Sequence, residues 1–303
     1  VAMSLRMGME FAASLHSDSS FSVNIEFIDS HNQRDSLKNA LDSLNLDNYD
    51  LLLGPLYSKR VQQIADYGVA GKSVNLMSKS PAIQGLGVYN TVVSEDSFYQ
   101  MLLELVNERD SLSTKSVPLI VTKGLSNKCE IFYDGFKNPN KRLITNDDQW
   151  SSNEALAQLD STLHYELIIY DNDPAFMLDV LRNLRSGSVS YSLFATEYQL
   201  FNSGITNDNF TRESEVICAM SSYLSYEDLN TLLFVEAFRS HFGTEPNQYA
   251  IRGYDIADYH IQRHLYGGVP MRGILLGFDF TQDSQNRWVE LRRFENFEWK
   301  LLR

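Results

Sequence analysis

The chain has 303 residues, with 26 Lys+Arg against 39 Asp+Glu, a formal net charge of −13 and a pI near 4.9. That balance argues against a nucleic-acid partner and against docking on an anionic membrane, both of which need clustered Lys and Arg. Apolar residues make up 43%, no apolar run nears the ~20 residues that span a bilayer, and the length exceeds what one core usually fills, so two lobes are expected.

Leu5, Met9 and Ala12 mark one face of a first helix, and Phe21 to Ile28 then alternates like a strand. Leu37, Ala40, Leu41 and Leu44 give a helical stripe. Leu51-Leu52-Leu53 reads as a strand, Gly54-Pro55 as a break, and Val61, Ile64, Ala65 and Val69 as the next helix. Val74 to Met77 is a short strand followed by a polar, Gly-rich loop, and Phe98, Met101, Leu102 and Leu105 form another helix.

The alternation then restarts. Val117 to Val121 is a strand and 126–136 a helix. Leu167 to Tyr170 is a continuous apolar run, the pattern of a strand covered on both faces. It ends at Asp171-Asn172-Asp173-Pro174, where Asp173 suits a helix N-cap and Pro174 the first helical position. Met177, Val180, Leu181 and Leu184 supply that helix, and 191–195 and 216–220 two more strands. Two long helices follow near 228–242 and 249–266, and the tail reads as strands at 274–280, 287–294 and 297–302, the last two forming an antiparallel hairpin. Alternating strands and helices imply parallel sheets with right-handed crossovers, and ligands then sit at the carboxyl ends of the strands.

The stretch Asp50–Pro81, with Gly54-Pro55-Leu56-Tyr57-Ser58, resembles the first lobe of type I periplasmic-binding proteins, the branched-chain-amino-acid-binding group. Its wording is most similar to the branch found in LysM-containing cell-wall-associated lipoproteins. Tyr89 to Asp96 resembles the family's crossing segment, Gly253-Tyr254-Asp255-Ile256-Ala257 its late helix, and Gly277 to Phe294 its closing strand pair. The resemblance implies an α/β fold of two doubly wound parallel-sheet lobes with a cleft between them. One lobe would hold residues 1–112 plus 223–272 and the other 113–222 plus 273–303. The family's first strand should precede the helix at Leu5–Ala12, and no strand lies there, so the first strand of lobe 1 is missing from the reading.

By the same resemblance, Ser58, Ser78 and Ser80 would hold a ligand carboxylate and Glu197 an ammonium group. Ser58 read alone is a plain helix-cap serine, and Lys79 either draws an anion, blocks an ammonium or is a solvated lysine. Asp171 and Asn172 could add hydrogen bonds, against the plainer reading of turn chemistry, and Tyr198 is an aromatic wall or simply surface.

His260 and His264 stand four apart, but no third ligand, HExxH or Cys pair accompanies them, so no metal or other cofactor is expected. Cys129 and Cys218 leave one disulfide open, with two buried thiols favoured. Gly85-Leu86-Gly87 lacks the setting of a dinucleotide loop, and Asn209-Phe210-Thr211 is a glycosylation sequon by letter only.

The expected function is a non-enzymatic, periplasmic or envelope-associated solute-binding protein for an amino acid or peptide-like molecule. The alternative is a scaffold or regulator of cell-wall synthesis, with peptidoglycan or a cell-wall enzyme as partner. The first residues lack the basic and apolar stretches of a secretory leader, so the compartment rests on the resemblance.

Overall fold

The computed structural model describes residues 1–17, 22–80, 87–110, 116–145, 159–187, 189–202 and 215–302. Contacts divide the chain into two compact units, Val1–Ser94 with Ser221–Trp288, and Glu95–Met220 with Val289–Arg303.

The larger sheet belongs to the second unit. Its parallel strands are β4 (Ser116–Thr122), β5 (Arg142–Thr145), β6 (His164–Ile169), β7 (Ser190–Thr196) and β8 (Val216–Met220). The antiparallel β11 (Glu290–Glu295) and β12 (Glu298–Leu301) complete the order β12-β11-β8-β7-β6-β4-β5. Leu119, Ile120, Leu167, Ile168, Leu193 and Phe194 are fully buried, as central strands covered on both faces require.

Helices α4 (Glu95–Asp110), α5 (Asn127–Asp134), α6 (Pro174–Ser186) and α7 (Glu197–Asn202) belong to this unit. Capping starts two of them: Ser126 accepts from Cys129 N at 3.2 Å and Asp173 from Ala175 N at 2.9 Å, with Pro174 at the first turn of α6. The hairpin at 294–297 forms as read, with Asn296 and Phe297 in the left-handed region that twists a two-residue turn to match its strands.

The first unit has a short sheet: β1 (Leu52–Leu53), β2 (Ser73–Asn75) and β3 (Tyr89–Asn90), parallel in the order β1-β2-β3, and the antiparallel pair β9 (Met271–Arg272) and β10 (Gly277–Phe278). Its helices are α1 (Ala2–His16), α2 (Arg34–Ser43), α3 (Ser58–Asp66), α8 (Leu229–Phe242) and α9 (Gln248–Tyr266). Helices α1 and α9 touch backbone to backbone. A Cβ on Gly8 would lie 1.9 Å from the Ala250 carbonyl oxygen, and one on Gly253 2.2 Å from that of Leu5, so only glycine fits either place.

From this pair Leu5, Met9, Ala12, Ile256 and Ala257 reach a core shared with Val74, Leu76 and Phe278. Asp255, wholly buried, accepts backbone N–H bonds from Ile274, Leu275 and Leu276 at 2.7–2.8 Å. Burial pushes its carboxyl up to about 7, against the downward pull of those three bonds.

Two readings change, and the one favoured for the cysteines holds. The alternating segment does not become a strand: residues 22–28 pair with no strand among the described residues, and Phe27 and Ile28 are exposed (Phe21 lies outside the described residues). Alternation needs a neighbouring edge to become a ladder, and here Glu26 accepts from the Tyr49 hydroxyl instead. The strand at 274–280 shrinks to Gly277–Phe278 because Asp255 takes the N–H groups of 274–276. The cysteines are free, and both are buried.

The sequence reading draws its borders at 112/113, 222/223 and 272/273; the contacts draw them at 94/95, 220/221 and 288/289. Helix α4 packs on β4, β7 and β8, which groups it with the second unit. The Gly85-Leu86 pair and the 209–211 sequon lie outside the described residues.

Candidate functional site

In an open α/β sheet the ligand position lies beyond the carboxyl ends of the strands, where the order reverses. In the second unit β5 lies on one side of β4, and β6, β7 and β8 on the other, so the reversal falls between β4 and β6. Beyond those ends Thr122 Oγ1 donates to the Gly124 and Tyr170 carbonyls at 2.9 and 3.1 Å.

Asp171 and Asn172 follow directly. Asp171 accepts from Asp173 N at 2.8 Å, and Asn172 donates to the Glu95 carboxylate at 2.7 Å. Asp173 caps α6 and pairs with Lys123 at 2.7 Å. Glu197, half-buried, opens α7 immediately after β7. Tyr198 stands edge-on to the buried Phe98, ring centroids 5.4 Å apart.

Sequence reasoning missed Gln199. Its buried amide accepts from Thr196 N at 2.9 Å and donates to the Asp171 carbonyl at 2.9 Å and to the Tyr99 hydroxyl at 3.2 Å. It thereby fixes the ends of β6 and β7 relative to each other. The only signal was an amide three residues after a strand end, too common to single out. Tyr170 stacks on Tyr99 at 4.3 Å, and burial, helped by the Asp96 charge, pushes its phenol up to about 12, so it remains a neutral hydroxyl.

In the first unit all three β1–β3 carboxyl ends carry polar groups. Gly54, with φ of +110°, turns the chain after β1, and its N–H donates to the Val74 carbonyl at 2.9 Å. Tyr57 occupies the cap position, so Ser58 is the first helical residue of α3 rather than its cap. Its hydroxyl has no partner among the described residues. The N–H groups of Arg60 and Val61 donate to the Tyr57 carbonyl, while those of Ser58 and Lys59 lie at the positive end of the helix dipole.

Beyond β2, Ser78 N donates to Asn75 Oδ1 at 3.0 Å, its carbonyl accepts from Asn75 Nδ2 at 2.8 Å, and its hydroxyl accepts from Ser80 N at 3.3 Å. Lys79 is exposed and Ser80 half-buried. Behind them runs a chain of amides that the sequence did not reveal. Asn75 donates to Asn90 at 2.7 Å, Asn90 to Gln285 at 3.0 Å, and Gln285 to the Val92 carbonyl at 2.6 Å. The first unit thus offers hydroxyls, helix-terminal N–H groups and an ammonium, which suit an anion. The second offers carboxylates, which suit a cation.

His164 hydrogen-bonds to Ser190 and Ser192 at 2.8 and 3.0 Å, at the amino ends of β6 and β7, away from these candidates. His260 is enclosed by the rings of Tyr259, Tyr89 and Phe280 at 5.2–5.7 Å, and burial pushes its imidazole down to about 3. His264 is exposed, so the two do not present one metal face, and no group of metal-ligating side chains assembles among the described residues. Nor is any described helix long and apolar enough to cross a membrane.

No family model matches the sequence, and a search of curated proteins finds no match. Solved structures do match. A Rhodospirillum rubrum protein assigned to branched-chain amino acid ABC transport superposes with a TM-score of 0.68 at 13% identity, over 99% of this chain and 95% of that one. An ABC transporter substrate-binding protein from Desulfitobacterium hafniense, in complex with Leu, superposes with a TM-score of 0.57 at 16% identity, over 98% and 95%. At such identities the likeness shows the fold: this chain has the α/β architecture of type I periplasmic-binding proteins.

Proposed function

We propose that this chain is an extracytoplasmic solute-binding protein, without enzymatic activity, whose ligand is an amino acid or a short peptide-like molecule. The observation that carries the reading is the placement of the polar candidates. Ser58, Ser78 and Ser80 follow the carboxyl ends of β1 and β2, and Asp171, Asn172 and Glu197 follow those of β6 and β7. In this reading Ser58, Ser80 and the first N–H groups of α3, helped by Lys79, are the groups of the first unit suited to a ligand carboxylate. Glu197 and Asp171 are those of the second suited to an ammonium group, with Tyr198 as an aromatic neighbour. The Leu-bound neighbour supports the ligand class.

A screen of the twenty amino acids and of muropeptides by thermal shift tests this. A ligand of the native state stabilises by RT ln(1 + [L]/Kd), about 2.7 kcal/mol at a hundredfold excess over Kd. Concentration-dependent stabilisation by an amino acid or peptide is the expected result; no stabilisation by any of them contradicts the reading.

One observation favours a second reading, a scaffold or regulator of peptidoglycan synthesis of the LysM-associated lipoprotein kind. The Ser78 N–H and the Asn172 amide, both suited to a ligand, are already engaged by Asn75 and Glu95. That reading predicts no amino-acid response together with co-sedimentation on peptidoglycan or capture of a cell-wall enzyme.

A further inference from the structure

Helix α8 is apolar on two faces. Its inner face, Thr231, Phe234 and Phe238, is buried, with Phe234 and Phe238 edge-on to Phe11. Its outer face carries Leu229, Leu232 and Leu233, exposed by 66%, 49% and 55%. The i, i+3, i+4 spacing sets these three on one stripe. Single exposed leucines are ordinary, but an apolar stripe on a helix already packed through its other face marks a surface that another surface covers. A hollow of about 530 Å³ adjoins the stripe, its lining mixed: Leu15, Leu233, Ala237 and Met271 beside Asp228, Asp258 and Arg272.

We propose that a second copy of this chain docks here, α8 against α8, antiparallel about a twofold axis at Leu233. The charges of the helix choose this occupant. Glu227 and Asp228 stand at its amino end, and Arg239 and His241 in its last turn. An antiparallel pair sets each acidic end beside the basic end of the other copy and opposes the helix dipoles favourably; a parallel pair would set like ends together. About the Leu233 axis Leu229 meets Ala237, and Glu236 lies across from Asn230, whose amide can donate to it. The existing pairs Asp228–Arg272, at 3.6 Å, and Arg239–Glu245 are partly exposed and bind those charges weakly. The contact is self-complementary, so it closes as a dimer rather than growing into a fibre.

A 14-residue helix is about 21 Å long, which puts the contact at the small end of specific interfaces and its dissociation constant in the micromolar range. Sedimentation velocity from about 2 to about 200 µM spans that range. The wild-type chain of 34.7 kDa should shift towards twice its mass. L233E should remain single throughout with an unchanged melting temperature, and R239E should weaken association at least about tenfold. The charge exchange E227R/R239E should restore it.

Cross-linking gives a second route, since the native cysteines are buried. A short bis-maleimide should join two copies of L233C, whereas K38C on α2 should stay single. A wild-type chain that stays single at the highest concentration, an L233E chain that still pairs, or K38C cross-linking as readily as L233C would overturn the proposal.

Discussion

The two units are built on the same alternation of strand and helix but are held together differently. The second rests on long ladders, with β4 to β8 spanning four to seven residues each and all but the edge strand β5 buried almost throughout. The first has β1 to β3 of only two or three residues, and its cohesion lies in the α1–α9 glycine contact, the Asp255 clamp and the buried amide chain. The polar reinforcement differs too. The first unit uses mostly neutral amides, whereas the second uses charge: Arg109 grips Glu215 with two bonds of 2.7 and 3.1 Å, and Arg293 approaches the same carboxylate at 3.1 Å. The short sheet thus leans on backbone contact and buried amides, and the long one on its own ladders and a cluster of charges.

Four substitutions break or sharpen this contrast. The largest effect is expected from Gly253→Val, whose side chain would collide with the Leu5 backbone. Overpacking against backbone costs about 3 kcal/mol or more, and hydrogen exchange should show the first unit losing protection while β4–β8 keep theirs. Glu215→Gln leaves two guanidinium groups facing a neutral amide in a half-buried place. A cost of about 2–3 kcal/mol is expected, confined to the second unit and measured by chemical denaturation. Burial raises the Glu215 carboxyl, but the Arg109 bond and charge outweigh it and the net shift is downward. The wild-type contribution is therefore present at neutral pH and fades in acid as Glu215 protonates, whereas E215Q should lack that acid sensitivity.

Asp255→Asn turns an N–H₂ towards backbone donors and should cost about 2 kcal/mol, the price of an unsatisfied buried N–H, with faster exchange at 274–276. The smallest effect concerns pH in the first unit. His260 is held neutral down to about 3, whereas an unfolded histidine protonates near 6.5. The unfolded state thus binds the proton first, and stability falls as pH drops below about 6.5, by about 1.4 kcal/mol at pH 5.5. Asp255, raised to about 7, acts in the opposite direction over this window. The His260 share is therefore read as the difference between wild type and H260L in denaturation midpoints at pH 7.5 and 5.5.

What was legible in the sequence was local. The run Leu167 to Tyr170 with Asp173 and Pro174 behind it carries its own strand, turn and cap signals. The 294–297 hairpin does the same. What was not legible depends on partners far along the chain. Asn75, Asn90 and Gln285 form one hydrogen-bonded chain across separations of 15 and 195 residues, and no period or motif announces it. Residues 22–28 alternate correctly but lack an edge to pair with among the described residues. At the candidate site the turn signals after β1, β2 and β6 marked where polar groups gather. The engagement of Ser78 N and Asn172 by Asn75 and Glu95 could be seen only in three dimensions.

The proposed recognition of a solute by Ser58 and Glu197 is tested most directly by titration calorimetry of the amino acid or peptide that stabilises the chain most, against wild type, S58A and E197Q. Each lost hydrogen bond to a charged ligand group is worth about 1.5–3 kcal/mol, so both variants should bind at least about tenfold more weakly at unchanged stability. Undiminished affinity in both, or no heat from any candidate, would contradict it.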